Sequence, residues 1–143
     1  MMVGVLFSEG GPKMNRKIND NTEKLTININ HVDLGKMDIL VENGFYTNRT
    51  DFIRNAIRKN LSEYDSYVDN IIVKNSYYLG IFKIGNSELN KYEKKNTKQN
   101  IKVVGLLVIP KDIDVELLKK TVSSIKIMGT IICDRSIKEY YRI

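Results

Sequence analysis

The stretch that decides the fold runs from residue 24 to residue 64: KLTININHVDLGKMDILVENGFYTNRTDFIRNAIRKNLSEY. Its first six residues, KLTINI, alternate between polar and apolar side chains, and this period of two predicts a half-buried strand over residues 24–29. Two helical patterns follow, with no second strand near enough to form a hairpin. Because an isolated strand leaves its backbone groups unpaired, we expect the same strand of a second chain to complete a two-stranded antiparallel ribbon across a two-fold axis.

The two helical patterns have recognisable ends. The first helix is predicted to begin at Asn30, a favourable N-cap residue, and to stop near Asn43, before a glycine suited to the left-handed position after a helix. The second is predicted to begin at Asn48, with Asp51 completing the cap. Strand and helices hold more apolar surface than so short a unit can hide, so we expect folding to be coupled to dimerisation. The expected dimer core is Leu25, Ile27, Ile29, Met37, Leu40, Phe52, Ile53 and Ile57.

The stretch resembles the ribbon-helix-helix family of DNA-binding proteins, of the CopG, Arc and MetJ kind. The segment GFYTNRTDFIR, residues 44–54, is similar to the family's turn and second helix, G-x-Y-x-N-R-S-E-x-I-R, with Thr for Ser and Asp for Glu. The resemblance implies an obligate homodimer that binds double-stranded DNA. It also implies contacts to bases from Lys24, Thr26 and Asn28, and contacts to phosphates from Asn48, Arg49 and Thr50.

The chemistry of these side chains agrees with the implied roles. A two-stranded ribbon fits the major groove, where lysine can donate to guanine, asparagine can pair with adenine, and threonine can bond to several bases or contact the thymine methyl. A helix N-terminus presents free N–H groups and a positive dipole end, which suits a phosphate. The chain holds 15 asparagines, however, so composition alone also accounts readily for an asparagine at position 28.

Length, composition and charge limit the remaining possibilities. A chain of 143 residues suits one domain or two small ones, and no apolar run reaches the ~18 residues of a membrane span. The single cysteine, Cys133, excludes an internal disulfide framework, and we expect a cytoplasmic protein that does not enter a membrane. The net charge is +6, but residues 24–66 carry six basic and six acidic groups. The excess of basic groups lies in residues 67–143. The overall charge therefore does not support DNA reading by residues 24–29; the placement of polar side chains on one face of that strand does.

The rest of the chain divides by pattern. Residues 1–23 are predicted to be a flexible arm, because residues 9–12 and 19–22 are turn-forming; Met14 could also be the true start, so that residues 1–13 need not belong to the native protein. Residues 67–76 are predicted to be a linker. A small α/β domain of β-α-β-α-β order is predicted to follow, which makes the fold class α+β. Its extent is 77–143, with strands at 78–84, 101–109 and 127–133, helices at 88–96 and 115–125, and a terminal segment at 137–143.

The predicted C-terminal domain lacks the residues of a catalytic or metal site. Its architecture is loosely similar to the ligand-sensing domains of nickel-responsive regulators, but residues 67–143 contain no histidine, so we expect no metal and no cofactor. The acidic residues at 112, 114 and 116 could hold a hard cation but are more typical of a helix start. The glycines at 80, 85, 105 and 129 are isolated and form no phosphate-binding loop. Cys133, at a strand end, is more typical of a core residue than of a thiolate, and we expect no enzyme.

Two functions fit these features. The first is a sequence-specific transcriptional regulator, with repression the simpler mode, whose C-terminal domain senses an unidentified small-molecule effector or assembles dimers into a higher oligomer. The second is an antitoxin or DNA-partition adaptor that uses the same ribbon and binds a partner protein through its C-terminal domain. The basic segment 91–102 fits either a DNA or acidic-partner contact, or lysines gathered at a helix C-terminus.

Overall fold

The computed structural model describes residues 2–3 and 22–143, and the chain forms two compact units, Met1–Ser66 and Tyr67–Ile143. Most of the expected flexible arm, including Met14, lies outside the described residues. The elements, in chain order, are β1 (Met2–Val3), β2 (Leu25–Thr26), α1 (His31–Glu42), α2 (Arg49–Ser62), α3 (Asp65–Lys74), β3 (Tyr78–Lys83), α4 (Asn86–Lys94), β4 (Gln99–Val108), α5 (Val115–Thr121), β5 (Val122–Ile132) and α6 (Arg135–Tyr141).

The N-terminal strand differs from its prediction in length and in pairing. β2 contains two residues rather than the six of 24–29, and it pairs antiparallel with β1, with Met2 opposite Thr26 and Val3 opposite Leu25. The sequence predicts no nearby strand in the same chain as a partner, and the segment that pairs with these two positions comes instead from the far N-terminal end of the chain. The physical reason is that an open strand edge accepts any extended segment that can satisfy its backbone donors and acceptors.

Both predicted helix starts in the first unit carry their caps. The side chain of Asn30 accepts the backbone N–H of Asp33 at 2.9 Å, and that of Asn48 accepts the N–H of Asp51 at 2.8 Å. The Asp51 carboxylate accepts the N–H of Thr47 at 3.0 Å, one residue earlier than in a capping box. Gly44 follows α1 with φ +80°, the left-handed conformation predicted for it.

The segment between the two predicted domains is mostly helical. α3 covers Asp65–Lys74, so that residues 67–74 of the expected linker belong to a helix. Ser76, with φ +56°, then turns the chain into β3.

The second unit is a three-stranded parallel sheet in the order β3-β4-β5, with helices packed on it. Leu89 of α4, Leu118 of α5 and Ile137 of α6 join a single core with strand residues such as Val103 and Leu107. The Tyr141 hydroxyl of α6 donates to the carbonyl of Val122 at 2.9 Å, and burial raises the pKa of this tyrosine to about 12. None of the helices among the described residues is long and apolar enough to cross a membrane.

The start of β5 corrects one predicted helix. The sequence predicts a helix over residues 115–125, but α5 ends at Thr121, and Val122 and Ile125 are buried in β5. A spacing of three places two strand residues on opposite faces, unless the pairing is irregular. Here Gln99 pairs with Val122 and Asn100 with Ser124, so one extra residue in β5 restores both side chains to the core. Val, Ser and Ile are also weak helix formers, which favours the strand.

Three of the glycines interpreted as isolated form a continuous row across the sheet. Gly80, Gly105 and Gly129 are direct neighbours in register, with φ of +122°, +132° and +125°. A Cβ atom on Gly105 would lie 2.2 Å from the carbonyl oxygen of Gly80, and one on Gly129 would lie 2.2 Å from that of Gly105. No larger residue fits either of these two positions without displacing a neighbouring strand.

Candidate nucleic-acid interface

The residues expected to read bases lie on an exposed extended segment. Lys24, Thr26 and Asn28 are all exposed and stand at alternate positions along the segment that contains β2. Between them, Leu25 is 56% exposed and Ile27 is also exposed. In one chain, therefore, both sides of this segment face solvent. The polar side has the side-chain chemistry of a base reader, and the apolar side is only partly buried.

The residues expected to contact phosphates lie together at the N-terminus of α2. Asn48 uses its side-chain oxygen as the helix cap, which leaves its amide group as the donor for another partner. Thr50 is half-buried in the first turn. The pKa of the Asp51 carboxyl is held below its usual range, chiefly by the hydrogen bond from the Thr47 N–H. Its negative charge therefore persists beside the helix start, where the dipole favours it.

Arg49 makes a contact that the sequence did not predict. Its Nε and Nη2 atoms donate to the two carboxylate oxygens of Asp38, each at 2.7 Å, and both side chains are 48% exposed. The hydrogen bond from Arg49 lowers the pKa of Asp38, and the same bond raises the pKa of Arg49. This ion pair, with its two hydrogen bonds, connects the start of α2 to α1. It also neutralises the positive charge of Arg49 that is expected to contact a phosphate. No sequence signal pointed to Asp38, since a partner 11 positions away on another helix follows no local spacing rule.

The expected dimer core is only partly buried in one chain. Its members are buried (Met37, Ile53), half-buried (Ile29, Leu40, Phe52) or exposed (Leu25, Ile27, Ile57). The half-buried Phe52 ring packs edge-on against Tyr46, with centroids 4.9 Å apart. Further apolar side chains of the same unit are also exposed: Val32, Ile39, Phe45 and Leu61. Among the described residues of the first unit, Met37 and Ile53 are the buried apolar side chains, which is a very small core for a folded unit.

The described residues offer no obvious place for a metal ion. Among them, no group of three or more histidine, cysteine, aspartate or glutamate side chains is arranged to hold one. Asp114 is the N-cap of α5 and accepts the N–H of Leu117 at 3.0 Å, so this acidic segment is a helix start. Cys133 packs against the core of the second unit, and burial is the largest influence that raises the pKa of its thiol. A thiol with a raised pKa is a poor nucleophile.

Comparison with known proteins identifies a family for most of the chain. A family model described as the Ribbon-Helix-Helix transcriptional regulator family matches residues 20–138. No curated protein and no solved structure matches the chain. The matched range starts before β2 and ends within α6, so it covers both units. Regulators of this family bind DNA, typically as dimers, and the resemblance found in residues 24–64 is confirmed. The chain belongs to the ribbon-helix-helix family of transcriptional regulators.

Proposed function

We propose that the chain is a sequence-specific regulator of the CopG kind, a homodimer that reads the major groove with a two-stranded ribbon and represses transcription in the cytoplasm. Family membership supports DNA binding. The observation that carries the dimeric ribbon is the apolar surface of the first unit. Leu25, Ile27 and Ile57 are exposed in a single chain, while two side chains of the expected core are buried.

Pairing two copies through residues 24–29 can bury the apolar side of the segment and at the same time leave its polar side free to contact DNA. Alternation along a strand sends Leu25 and Ile27 to one side and Lys24, Thr26 and Asn28 to the other. If the apolar side faces the helices of both chains, the polar side faces outward and is free to enter the groove. β1 pairs with two of the six residues 24–29. To pair with this segment, the second copy must either bind its other edge or displace β1 from this very short pairing.

Phosphate contacts fit the N-terminus of α2. Asn48, Arg49 and Thr50 would lie against the DNA backbone at either side of the ribbon, where the free N–H groups of the first turn add to their donors. The carboxylate of Asp38 competes with a phosphate for Arg49. Because the ion pair is half exposed, a phosphate can share the guanidinium or replace the carboxylate. A dimer that fills the groove excludes other proteins, which favours repression.

We assign the two units different tasks. Residues 24–66 bind DNA and dimerise, residues 67–76 connect, and residues 77–143 serve assembly or the sensing of a small effector. The basic groups that produce the net charge of the chain lie mainly in the second unit, so its surface is also positive.

Selection of bound DNA from a random pool, with the purified chain at near-physiological salt, tests this function directly. We expect enrichment of an inverted repeat, because a two-fold dimer presents the same reading surface to each half-site. Binding without enrichment, lost uniformly as salt is raised, would contradict sequence-specific reading and favour an adaptor that binds a partner protein.

A further inference from the structure

Helices α4, α5 and α6 all pack against the same face of the parallel sheet of the second unit. On the other face, side chains form rows that cross the three strands in register: Leu79, Val104 and Met128 in one row, and Ile81, Leu106 and Thr130 in the next. Leu79 is 62% exposed, Ile81 52% and Met128 51%. We call this surface the open face and define it by Leu79, Ile81, Val104, Leu106, Met128 and Ile132.

An open face of this kind is unusual for a parallel sheet. Because parallel strands are joined by crossovers that place helices on the sheet, such sheets are normally covered on both faces. Here α4, α5 and α6 all contribute to the core on the opposite face. The open face is exposed chiefly along its two outer strands, where Leu79, Ile81 and Met128 are at least half exposed. On the central strand Val104 and Leu106 are half-buried, and Val108, in the row of Ile132, is buried. A contiguous apolar surface of this type marks an interaction site.

We propose that the open face packs against the open face of a second copy of this chain. Dimerisation through the first unit, on which this step rests, brings two copies of the second unit into one molecule. Tethered partners meet at an effective concentration of about millimolar. The open face of the second copy is therefore the potential partner surface at the highest local concentration.

The size of the open face fits tethered association. The exposed fractions of its side chains correspond to roughly 400–500 Å² per copy, or about 900 Å² for a pair, somewhat below the ~1,200 Å² at which independent partners form stable complexes. A surface of this area pairs weakly between free molecules and well between tethered ones. The two central rows contain no charged side chain, so their burial does not require a charge to be desolvated.

Charge at one end of the open face selects the orientation. The row before Leu79 contains Lys102 and Lys126, whose ammonium groups each lie 5.9 Å from the centre of the Tyr77 ring. A parallel pairing of two copies would bring the ends that contain these lysines together, with Lys102 over its counterpart in the central strand. An antiparallel pairing places them over the opposite end of the partner's strands, in the row that contains Lys83, Val108 and Ile132. Each end of the pair then carries three lysines, instead of four at one end and two at the other, which lessens the repulsion. We therefore assign an antiparallel face-to-face arrangement across a two-fold axis that runs near the glycine row.

Met128 offers a natural probe of this surface. In the purified chain we expect peroxide to oxidise Met128 about tenfold more slowly than in a Leu79→Glu variant. This ratio follows if the open face is paired about nine-tenths of the time, since only the unpaired fraction reacts. Leu79 is largely exposed on an edge strand, so the variant retains its core. Val73→Glu, an equally drastic change at an exposed apolar residue of α3, is the matched control and should leave the protection of Met128 unchanged.

Cross-linking of lysines in a mixture of isotopically labelled and unlabelled chains identifies the occupant. The antiparallel arrangement predicts a link between Lys83 of one copy and Lys126 of the other, which Leu79→Glu should abolish. Equal oxidation of Met128 in the native chain and in Leu79→Glu would overturn the proposal, and would leave the face for a different protein. Protection of Met128 without any link between copies would also overturn it, because the chain would then cover its own face.

These outcomes are separable from failure of the proposed function. The mass of the protein in solution reports dimerisation through the first unit, and DNA selection reports base reading. Neither measurement depends on the open face.

Discussion

At the residue scale, the side chains of the candidate DNA interface differ in what else they do. Lys24, Thr26 and Asn28 are exposed, so changing them leaves the described packing intact. Arg49, in contrast, holds Asp38 of α1 by two hydrogen bonds. A substitution at Arg49 is therefore expected to weaken both DNA binding and the contact between α1 and α2. Comparing substitutions at Arg49 and at Asp38 separates the two effects.

Replacing Asn28 tests base reading without disturbing the fold. We expect Asn28→Ala to relax preference at one position in each half-site, by about 1–3 kcal/mol per base pair read. Affinity for the selected operator and for single-base variants measures this. Asn60→Ala, which removes an exposed asparagine near the end of α2, is the matched control. Equal loss of affinity on the operator and on random DNA would show that Asn28 does not read a base.

Asp38 separates the two roles of Arg49. If Arg49 contacts a phosphate, Asp38→Asn frees the guanidinium and removes a negative charge, so all DNA sequences should bind more tightly. Arg49→Ala should weaken all sequences alike and lower the slope of log affinity against log salt by about one for each phosphate that Arg49 neutralises. Titrations at several salt concentrations measure both effects. Parallel weakening by the two substitutions would instead assign the ion pair to holding α1 against α2.

At the scale of secondary-structure elements, one local arrangement in each unit is expected to contribute to its stability. In the second unit, strands β3, β4 and β5 approach each other closely along the row Gly80, Gly105 and Gly129. In the first unit, the start of α2 depends on Asn48 and Asp51. Each arrangement predicts a distinct response to substitution.

Gly105→Ala should destabilise the second unit by about 2–4 kcal/mol, because a Cβ would meet the rigid carbonyl of Gly80 and because φ is positive. Gly80→Ala is the control: its φ is also positive, but nothing lies within 4 Å of the new Cβ, so only the backbone strain of about 1–2 kcal/mol applies. Chemical denaturation measures both. Equal destabilisation would show that the sheet adapts to a Cβ at position 105.

The Asp51 cap predicts a dependence of stability on pH. The folded-state pKa of Asp51 is lowered, chiefly by the Thr47 N–H, so its contribution is complete above the unfolded carboxyl pKa of about 3.9 and is lost as the pH falls through the lower folded value. Asp51→Asn should therefore lose less stability on acidification than the native chain. Asn48→Ala removes a cap that does not titrate and should cost about 1 kcal/mol at every pH. Parallel acid profiles for the native chain and Asp51→Asn would contradict this.

At the scale of the whole molecule, the exposed apolar surface of the first unit supports the proposed dimer. Leu25, Ile27, Ile57 and Leu61 contact too little within the chain to be buried, and the family to which the chain belongs binds DNA typically as dimers. Burial of such side chains supplies most of the free energy that offsets ordering of the backbone.

Unfolding of the first unit should depend on protein concentration. For a folding reaction coupled to dimerisation, each tenfold dilution lowers the apparent stability by about 1.4 kcal/mol, so the midpoint temperature should fall on dilution. Ile57→Glu should strengthen this dependence or abolish folding of the unit. Val32→Glu, at another exposed apolar residue of the unit that is outside the expected dimer core, is the control. A midpoint independent of concentration would contradict coupled folding.

Residues 24–64 identify the family because its signals are local. Caps at Asn30 and Asn48, the glycine after α1 and the apolar stripes are each determined by side chains within a few positions of one another. The family model confirms the resultant assignment over residues 20–138. The residues expected to contact DNA remain predictions that rest on the resemblance and on their exposure.

Only the tertiary structure decided the features that depend on residues far apart in the chain. The Arg49–Asp38 ion pair, the placement of Val122 and Ile125 in β5, and the glycine row all arise from contacts between separate elements, which carry no fixed spacing in sequence. The open face belongs to the same class. Its strands are apolar on both sides, a pattern visible in the sequence, but which side the helices leave uncovered depends on how the crossovers pack.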